Sequence, residues 1–539
     1  MQPGKLTKCC RLTRLRVKGF KSLRDTVIDF PTGLTILVGP NGSGKTALIE
    51  SLLLLRDTLD FLRGRVANPF LRWWGYSNVA WMHDETKPIE ISISLDCSEC
   101  NTEELRSILP EGLYALLDKK RVEYLVSSIE YKVSLSGAGG SFDVIGEKLC
   151  IYNTGCIELQ RRNITIHLEH EAMNSLTKSS LEEVMTRSPF AAFYEKGKSI
   201  ANKCTKYLEE HRDLISNEIT RQLSRFQINL NSSHIRRSLL EFYTSTPTKR
   251  PYEIGLPFEA VDLVPGDIVK DTLEALTKSV TLKNIIDQYR SCLSSSIPSS
   301  EFVQLLTTGL FEYILGWLMT MALLVFLAAT FIVGYFIDRI VVLRFLDYRS
   351  LRSPQPLETS ERLREDGSNL VSVLFRLGRG RFPDDIGAVL SSVLGAESVS
   401  GFFEPTPDGR LVLKLVVDNV ELAPPSIPEG AWKTMALMSA VLSGASVVAV
   451  DEFENSLHAS AQELLLEELR QDTPSAIVAT HSPVVVDAAK SLDEVALVEL
   501  EAGETKIHRP RDPGKLAEKL RELGVTPSEA LLYGLLETS

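Results

Sequence analysis

Residues Gly39-Pro40-Asn41-Gly42-Ser43-Gly44-Lys45-Thr46 constrain this chain more than any other stretch. The run fits GxxxxGK[ST]. An apolar segment at 34–38 precedes it, and a segment of helical periodicity at 45–55 follows it. Glycines at this spacing let successive backbone N–H groups curl round a phosphate without Cβ clashes. The helix N-terminus adds its dipole to the same anion. Lys45 is placed to reach the β- and γ-phosphates of ATP, and the Thr46 hydroxyl to ligate Mg²⁺. A strand–loop–helix unit of this kind predicts an α/β fold.

Such a loop needs an acidic partner, and Ser446-Val447-Val448-Ala449-Val450-Asp451-Glu452 supplies one. A buried parallel strand reads as a continuous apolar run, and its C-terminal end is where α/β sheets place ligands. Asp451 is the second candidate for Mg²⁺. Glu452 is the candidate to orient and deprotonate an attacking water. The next apolar run, 476–479, ends in Thr480-His481-Ser482-Pro483, so His481 is placed to donate a hydrogen bond to a γ-phosphate. Most of the chain lies between the two halves of this site.

The remaining pattern sorts the chain into four parts. Residues 1–170 carry the phosphate loop and a β-rich lobe, with strand-like runs at 15–17, 27–30, 89–95, 124–135, 142–152, 156–159 and 164–168. Residues 171–340 read as a mainly helical insertion. Residues 341–510 return to α/β, with helices at 370–377, 434–442 and 461–470, a strand at 411–417 and a hairpin at 495–507. Residues 511–539 read as a helical tail. A chain of 539 residues is too long for one core, so several domains are expected. The net charge of -11 argues against a global pull on nucleic acid, leaving a local basic face as the alternative. Lys5, Lys8, Arg11, Arg14, Arg16, Lys18, Lys21 and Arg24 precede the first acid and read as a solvated edge strand. Eight cysteines in this length are not expected to form a disulfide framework. Cys97 and Cys100 make one CxxC, but neither Cys150/Cys156 nor His83 completes a zinc set at convincing spacing.

Together these residues resemble the ABC-type ATPase heads of the RecF/SMC/OLD group, in its stand-alone AAA-family form without a nuclease domain. The opening Leu15-Arg16-Val17-Lys18-Gly19-Phe20-Lys21-Ser22 is similar to the group's first strand and turn. Asp451-Glu452-Phe453-Glu454-Asn455-Ser456-Leu457-His458 resembles its Walker B and D-loop, and Thr480-His481-Ser482-Pro483 its switch histidine. Arg344 to Asp347 and Asp366 to Leu370 are similar to it as well. The resemblance implies an ABC-type P-loop head with an antiparallel β lobe, split by the insertion. It further implies face-to-face dimerisation of two heads around ATP, and DNA or a DNA-processing protein as partner. The signature segment, which in the group contacts the partner copy's ATP, corresponds to 426–433, so Ser426 and Gly430 become nucleotide-contact candidates. Pro428 and Glu429 depart from its usual chemistry. No glutamine occurs between Thr46 and Gln160, so the group's Q-loop residue is missing and Asn78 is its substitute. Both departures point to slow turnover. The length after Pro483 is too short for the group's nuclease domain.

One segment pulls the other way. Residues 313–337 carry no charge and would span ~37 Å as a helix, enough for a bilayer. A single crossing would put Lys45 and Asp451 on opposite sides, so a buried or dimer-interface helix is the preferred reading. The expected location is cytoplasmic, with membrane association through 313–337 as the alternative. The functional expectation is an ATP-binding, Mg-dependent ATPase in DNA maintenance or defence. A nucleotide switch with little turnover and a membrane-associated ATPase are the rivals.

Overall fold

The computed structural model describes residues 9–109, 127–160, 163–168, 228–231, 280–296, 310–359 and 362–535, with a few positions between 113 and 214. Two compact units share the chain. The first is Met1–Glu104, Lys132–Val144 and Val333–Ser539; the second is Leu105–Tyr131 and Ile145–Ile332.

The elements that matter here are β1 (Arg11–Phe20), β2 (Leu23–Asp29), β3 (Leu34–Val38), α1 (Lys45–Leu62), β4 (Ile89–Asp96), α2 (Leu310–Asp338), β5 (Ile340–Leu343), α3 (Asp384–Leu394), α4 (Glu429–Leu442), β6 (Val447–Val450), β7 (Ala476–Ala479), β8 (Val495–Glu501) and β9 (Glu504–His508). The first unit is built on a six-stranded sheet in the order β5-β6-β7-β3-β8-β9. The pairs from β5 through β8 are parallel, and β8 and β9 close as an antiparallel hairpin. All residues of β3, β5, β6 and β7 are buried. That is why these strands read as unbroken apolar runs rather than alternating ones. The hydrophobic core beside this sheet gathers Trp432, Phe453, Leu370, Leu390 and Leu466, each almost wholly inaccessible.

A second, antiparallel sheet flanks it, with β1 between β2 and β4. From Arg14 to Lys18 the strand alternates: Leu15 and Val17 are buried, while Arg14, Arg16 and Lys18 face outward, and a register shift between Leu12 and Arg14 returns Leu12 to the buried side. The basic run is therefore on an internal strand, not an edge. Its cations meet carboxylates on the neighbours, with Arg14 on Asp29 at 2.5 Å and Arg16 on Asp25 at 2.8 Å. Lys5 and Lys8 lie outside the described residues. A third sheet pairs Val399–Pro405 with Arg410–Val417. Its first strand and α3 were not read from the sequence.

In the second unit, Gly155–Gln160, Asn163–Leu168 and Ile228–Asn231 form an antiparallel ladder. Tyr131 Oη donates to Glu147 Oε1 at 2.6 Å. Cys150 and Cys156 face each other across an antiparallel pair and are joined as a disulfide. Two further cysteine pairs form in the first unit. Sequence spacing gave no sign of these pairings, because antiparallel register rather than spacing brings the sulfurs together. Most of the expected helical insertion at 171–340 lies outside the described residues.

Helix α2 covers the uncharged segment, and its side chains are described from Leu324 onward. Leu324, Val325, Phe326, Ala328, Ala329 and Ile332 are buried in the protein. Among the described residues no helix is long and apolar enough to cross a membrane. The helix ends at Asp338, which pairs with Arg63 and Arg65 from the end of α1, and β5 follows at once. The fold is α/β, with a P-loop head and an antiparallel lobe.

Candidate nucleotide site

The phosphate loop leaves the end of β3 and enters α1 at Lys45. Two of its glycines are required by the hairpin that packs on it. A Cβ at Gly39 would sit 2.0 Å from Val498 O of β8, and one at Gly44 would sit 2.0 Å from Thr505 Oγ1 of β9. Both glycines also have positive φ, at 152° and 109°. Thr505 fastens the loop further, its hydroxyl donating to Ser43 O at 2.9 Å and accepting from the Ser22 hydroxyl at 2.7 Å.

Strand β7 lies between β3 and β6, so the loop after β3, the acids after β6 and Thr480-His481 after β7 emerge at one sheet edge. The two sequence-distant halves then touch. Thr46 Oγ1 donates to Asp451 Oδ2 at 2.8 Å across 405 positions of sequence. Together these oxygens are hard donors of the kind Mg²⁺ takes, so the residues fit that ion. Lys45 Nζ donates to Gly39 O at 2.8 Å and Pro40 O at 3.1 Å. Burial pushes the Lys45 ammonium below its usual range, against the pull of Asp451, Glu454 and Glu452. Burial likewise pushes the Asp451 carboxyl up, against the Thr46 hydrogen bond and the Arg344 and Lys45 charges. A cleft of about 350 Å³ opens here, lined by Lys21, Ser22, residues 41–47, Glu50, Asp451, Glu452, Ala479 and His481.

Glu452 has φ 49°, a left-handed conformation unusual for a non-glycine residue. Its carboxylate accepts from Asn455 Nδ2. Residues of the acidic segment tie it to its surroundings in ways the sequence did not announce. Glu454 accepts from Thr480 Oγ1 at 2.7 Å and from His481 N at 2.9 Å, joining the loops after β6 and β7. Lys433 of α4 donates to Glu452 O at 2.8 Å and Asn455 O at 3.0 Å. Glu50, buried in an apolar stretch of α1, pairs with Lys21 and with Arg344 at 2.7 Å. A lone acid within Ile49-Glu50-Ser51-Leu52-Leu53 was the available signal.

Ser426 and Gly430 do not line this cleft. Ser426 sits in a short exposed turn, and Gly430 lies in the first turn of α4 against the backbone of Ser456, where a Cβ would come 2.6 Å from Ser456 O. Glu429, whose charge is awkward near phosphate, meets Arg352 at 3.5 Å and Ser456 Oγ at 3.3 Å. Asn78 is also away from the cleft, donating to Trp73 O at 2.9 Å.

Comparison with known proteins matches both ends of the chain. An AAA-domain family matches residues 14–55, and a second, described as AAA domain, putative AbiEii toxin, Type IV TA system, matches 343–487. An OLD nuclease from Thermus scotoductus is 40% identical over 88 residues, which are 16% of this chain and 14% of that protein. The chromosome partition protein Smc of Methanocaldococcus jannaschii is 33% identical over 73 residues, 14% of this chain and 6% of that one. The DNA replication and repair protein RecF of Vibrio campbellii is 41% identical over 58 residues, 10% of this chain and 16% of that one. The matched stretches thus span far less than two thirds of these relatives. An Smc head domain with a coiled coil and joint from Pyrococcus yayanosii aligns over 96% of this chain and 100% of that one at 14% identity and a TM-score of 0.36. The fold assignment rests instead on strand order and on the loops it brings together. The chain carries an AAA-type, P-loop ATPase domain of the RecF/SMC/OLD-like kind.

Proposed function

We propose that the chain binds Mg·ATP in the cleft between Gly39–Thr46 and Asp451, hydrolyses it slowly, and closes a dimer of heads while ATP is bound. The observation that carries this reading is the 2.8 Å contact between Thr46 and Asp451. Residues from opposite ends of the sequence meet at the one edge where a phosphate loop, two acids and a histidine converge.

In this reading Gly39, Asn41, Gly42, Ser43 and Gly44 wrap the phosphates with backbone N–H groups, Pro40 fixes the turn between them without donating, and Lys45 supplies the counter-charge. Thr46 and Asp451 would hold Mg²⁺, which would supply charge neutralisation during phosphoryl transfer. Glu452 takes a proton from water as its oxygen attacks the γ-phosphorus. The bond to the β,γ-bridging oxygen breaks and ADP leaves. His481 donates to the γ-phosphate, and Glu454 holds its backbone in place. Ser426 and Gly430, away from their own cleft, contact the nucleotide of a second copy. Relatives named for chromosome partition and for DNA replication and repair support DNA, or a protein acting on it, as the partner, with a cytoplasmic location.

Glu452→Gln tests the reading, because an amide cannot accept the proton. Phosphate release should fall at least ~100-fold while ATP binding persists, and an ATP-dependent dimer should accumulate in light scattering. Unchanged phosphate release would place the base elsewhere. A nucleotide switch without useful turnover would already show no Glu452-dependent release in the wild type.

A further inference from the structure

The start of β1 and the end of β4 hold four cysteines that the nucleotide site does not use. Cys9 and Cys10 lead into β1, and Cys97 and Cys100 follow β4. The β1–β4 register, which opens with Arg11 opposite Asp96, puts Cys10 beside Cys97. A tight turn, with Cys100 N donating to Cys97 O at 3.0 Å, brings Cys100 back toward Cys9. All four residues are buried. In the structure the sulfurs are paired Cys9–Cys100 and Cys10–Cys97.

We propose that Cys9, Cys10, Cys97 and Cys100 form a tetrathiolate zinc site that clamps the start of β1 to the end of β4.

Two observations favour a cation over two separate disulfides. The first is convergence. Two disulfides need not approach each other, yet the Cys9 and Cys10 sulfurs are 3.9 Å apart. A zinc ion with Zn–S bonds of about 2.3 Å in tetrahedral geometry sets its sulfurs about 3.8 Å apart. Vicinal residues on a regular strand point to opposite faces. Cys9, at a bend before β1, instead brings its sulfur to the side of Cys10.

The second is the ligand pattern. A C-x2-C turn aims two thiolates at one point and is the usual half of a structural zinc site. The second half here is a vicinal pair, delivered by strand pairing from a distant part of the sequence. That is why CxxC appeared to lack partners when read along the chain.

Glu104 stays outside the shell. Its carboxylate is within 4.8 Å of the Cys9 and Cys100 sulfurs, but it is held by Asn101 N, which donates to Oε2 at 3.0 Å at the start of the following helix. The four thiolates complete a closed tetrahedral shell without it.

A site here would act on architecture. It lies in the first unit, at the point where the chain runs on from Glu104 to the second unit at Leu105. Closing it joins positions 91 and 87 residues apart in sequence. Zinc bound only to the folded arrangement adds its binding free energy to folding.

The full chain, purified with reductant and without chelator, should carry about one zinc per chain by elemental mass spectrometry. After cobalt exchange it should show the visible bands of a tetrahedral thiolate site. Denaturation in EDTA without reductant should leave Cys9, Cys10, Cys97 and Cys100 open to iodoacetamide. Cys97→Ser with Cys100→Ser should lose the metal, and Glu104→Gln should keep it. Resistance of the four cysteines to alkylation together with absence of zinc, measured on the unaltered chain, would overturn the proposal in favour of two disulfides. Metal loss in Glu104→Gln would overturn the four-cysteine ligand set.

Discussion

The acidic segment after β6 and the turn leading into α4 belong to the same nucleotide chemistry by resemblance, yet the fold treats them differently. Asp451 touches Thr46 within the chain. Ser426 and Gly430 stay out of the cleft, and Gly430 is packed instead on the D-loop backbone at Ser456. On the proposed reading the first set acts within one copy, while Ser426, on its exposed turn, is left to serve a second copy. If that reading holds, binding and turnover should be separable. Binding should survive anything that disturbs 426–430, whereas turnover should not.

The largest effect should come from the set that acts within one copy. Lys45→Ala removes the only cation on the phosphate loop, so ATP binding should fall below detection, at least ~1000-fold, by calorimetry. Equal affinity in wild type and variant would break the assignment of the site, and with it the comparison.

Next is the buried helix that leads into β5. Phe326 is almost fully inaccessible on α2. Phe326→Asp should cost about 3–5 kcal/mol in denaturant unfolding, because an unpaired charge is left in an apolar setting. Release of an intact, ATP-binding protein from membranes by the same substitution would instead favour the membrane-associated reading.

The segment outside the cleft is tested by Gly430→Ala. The new Cβ would meet Ser456 O, a backbone atom that cannot swing aside. The D-loop must shift, at a cost of about 1–3 kcal/mol. That outweighs the gain of roughly 0.5–1 kcal/mol from alanine in a helix. Single-copy ATP affinity should change little, while phosphate release and ATP-dependent dimerisation should drop. If both persist unchanged, the first turn of α4 has no part in turnover.

What the sequence made legible follows a physical line. Strands buried on both faces announced themselves, since β3, β6 and β7 are continuous apolar runs ending in loop chemistry. Helix α3 did not, although Ile386, Leu390 and Val393 are its buried stripe. Gly387, Ser391 and Ser392 dilute its propensity, and the signals that remained were Pro383 before it and Gly395 in the left-handed conformation after it. Gly387 is there because a Cβ would meet Val399 O at 2.5 Å, a constraint only the folded chain reveals. The loops carrying Asp451, Glu452 and His481 could be placed from strand ends. The braces Glu50, Lys433 and Glu454 could not, because their partners come from other elements. The cysteine cluster was hidden for the same reason, since half of its ligands arrive by strand register.

The smallest effect concerns Lys433, which braces the acidic segment from beneath. Burial pushes its ammonium down to about 8, against the attraction of Glu454, Glu452 and Asp451. For a lysine lowered in the folded state the linkage runs opposite to the usual ion-paired case. Above the folded value the unfolded chain still holds a proton that the folded chain has released, so stability rises with pH. Below about 8 both states are protonated and the slope vanishes. Between roughly pH 8 and 9 this one group should add about 1 kcal/mol to unfolding free energy. Lys433→Met should remove that increment, seen as a smaller rise in the denaturant midpoint between the two pH values than in wild type. It should also leave Glu452 O and Asn455 O without their donor. Turnover should then fall while ATP affinity stays near wild type, because the phosphate loop does not depend on this lysine. An unchanged pH slope would mean that Lys433 titrates as an exposed lysine and does not hold the segment. Weakened ATP binding would mean that the acidic segment and the phosphate loop fail together, and the separation between binding and turnover would be lost.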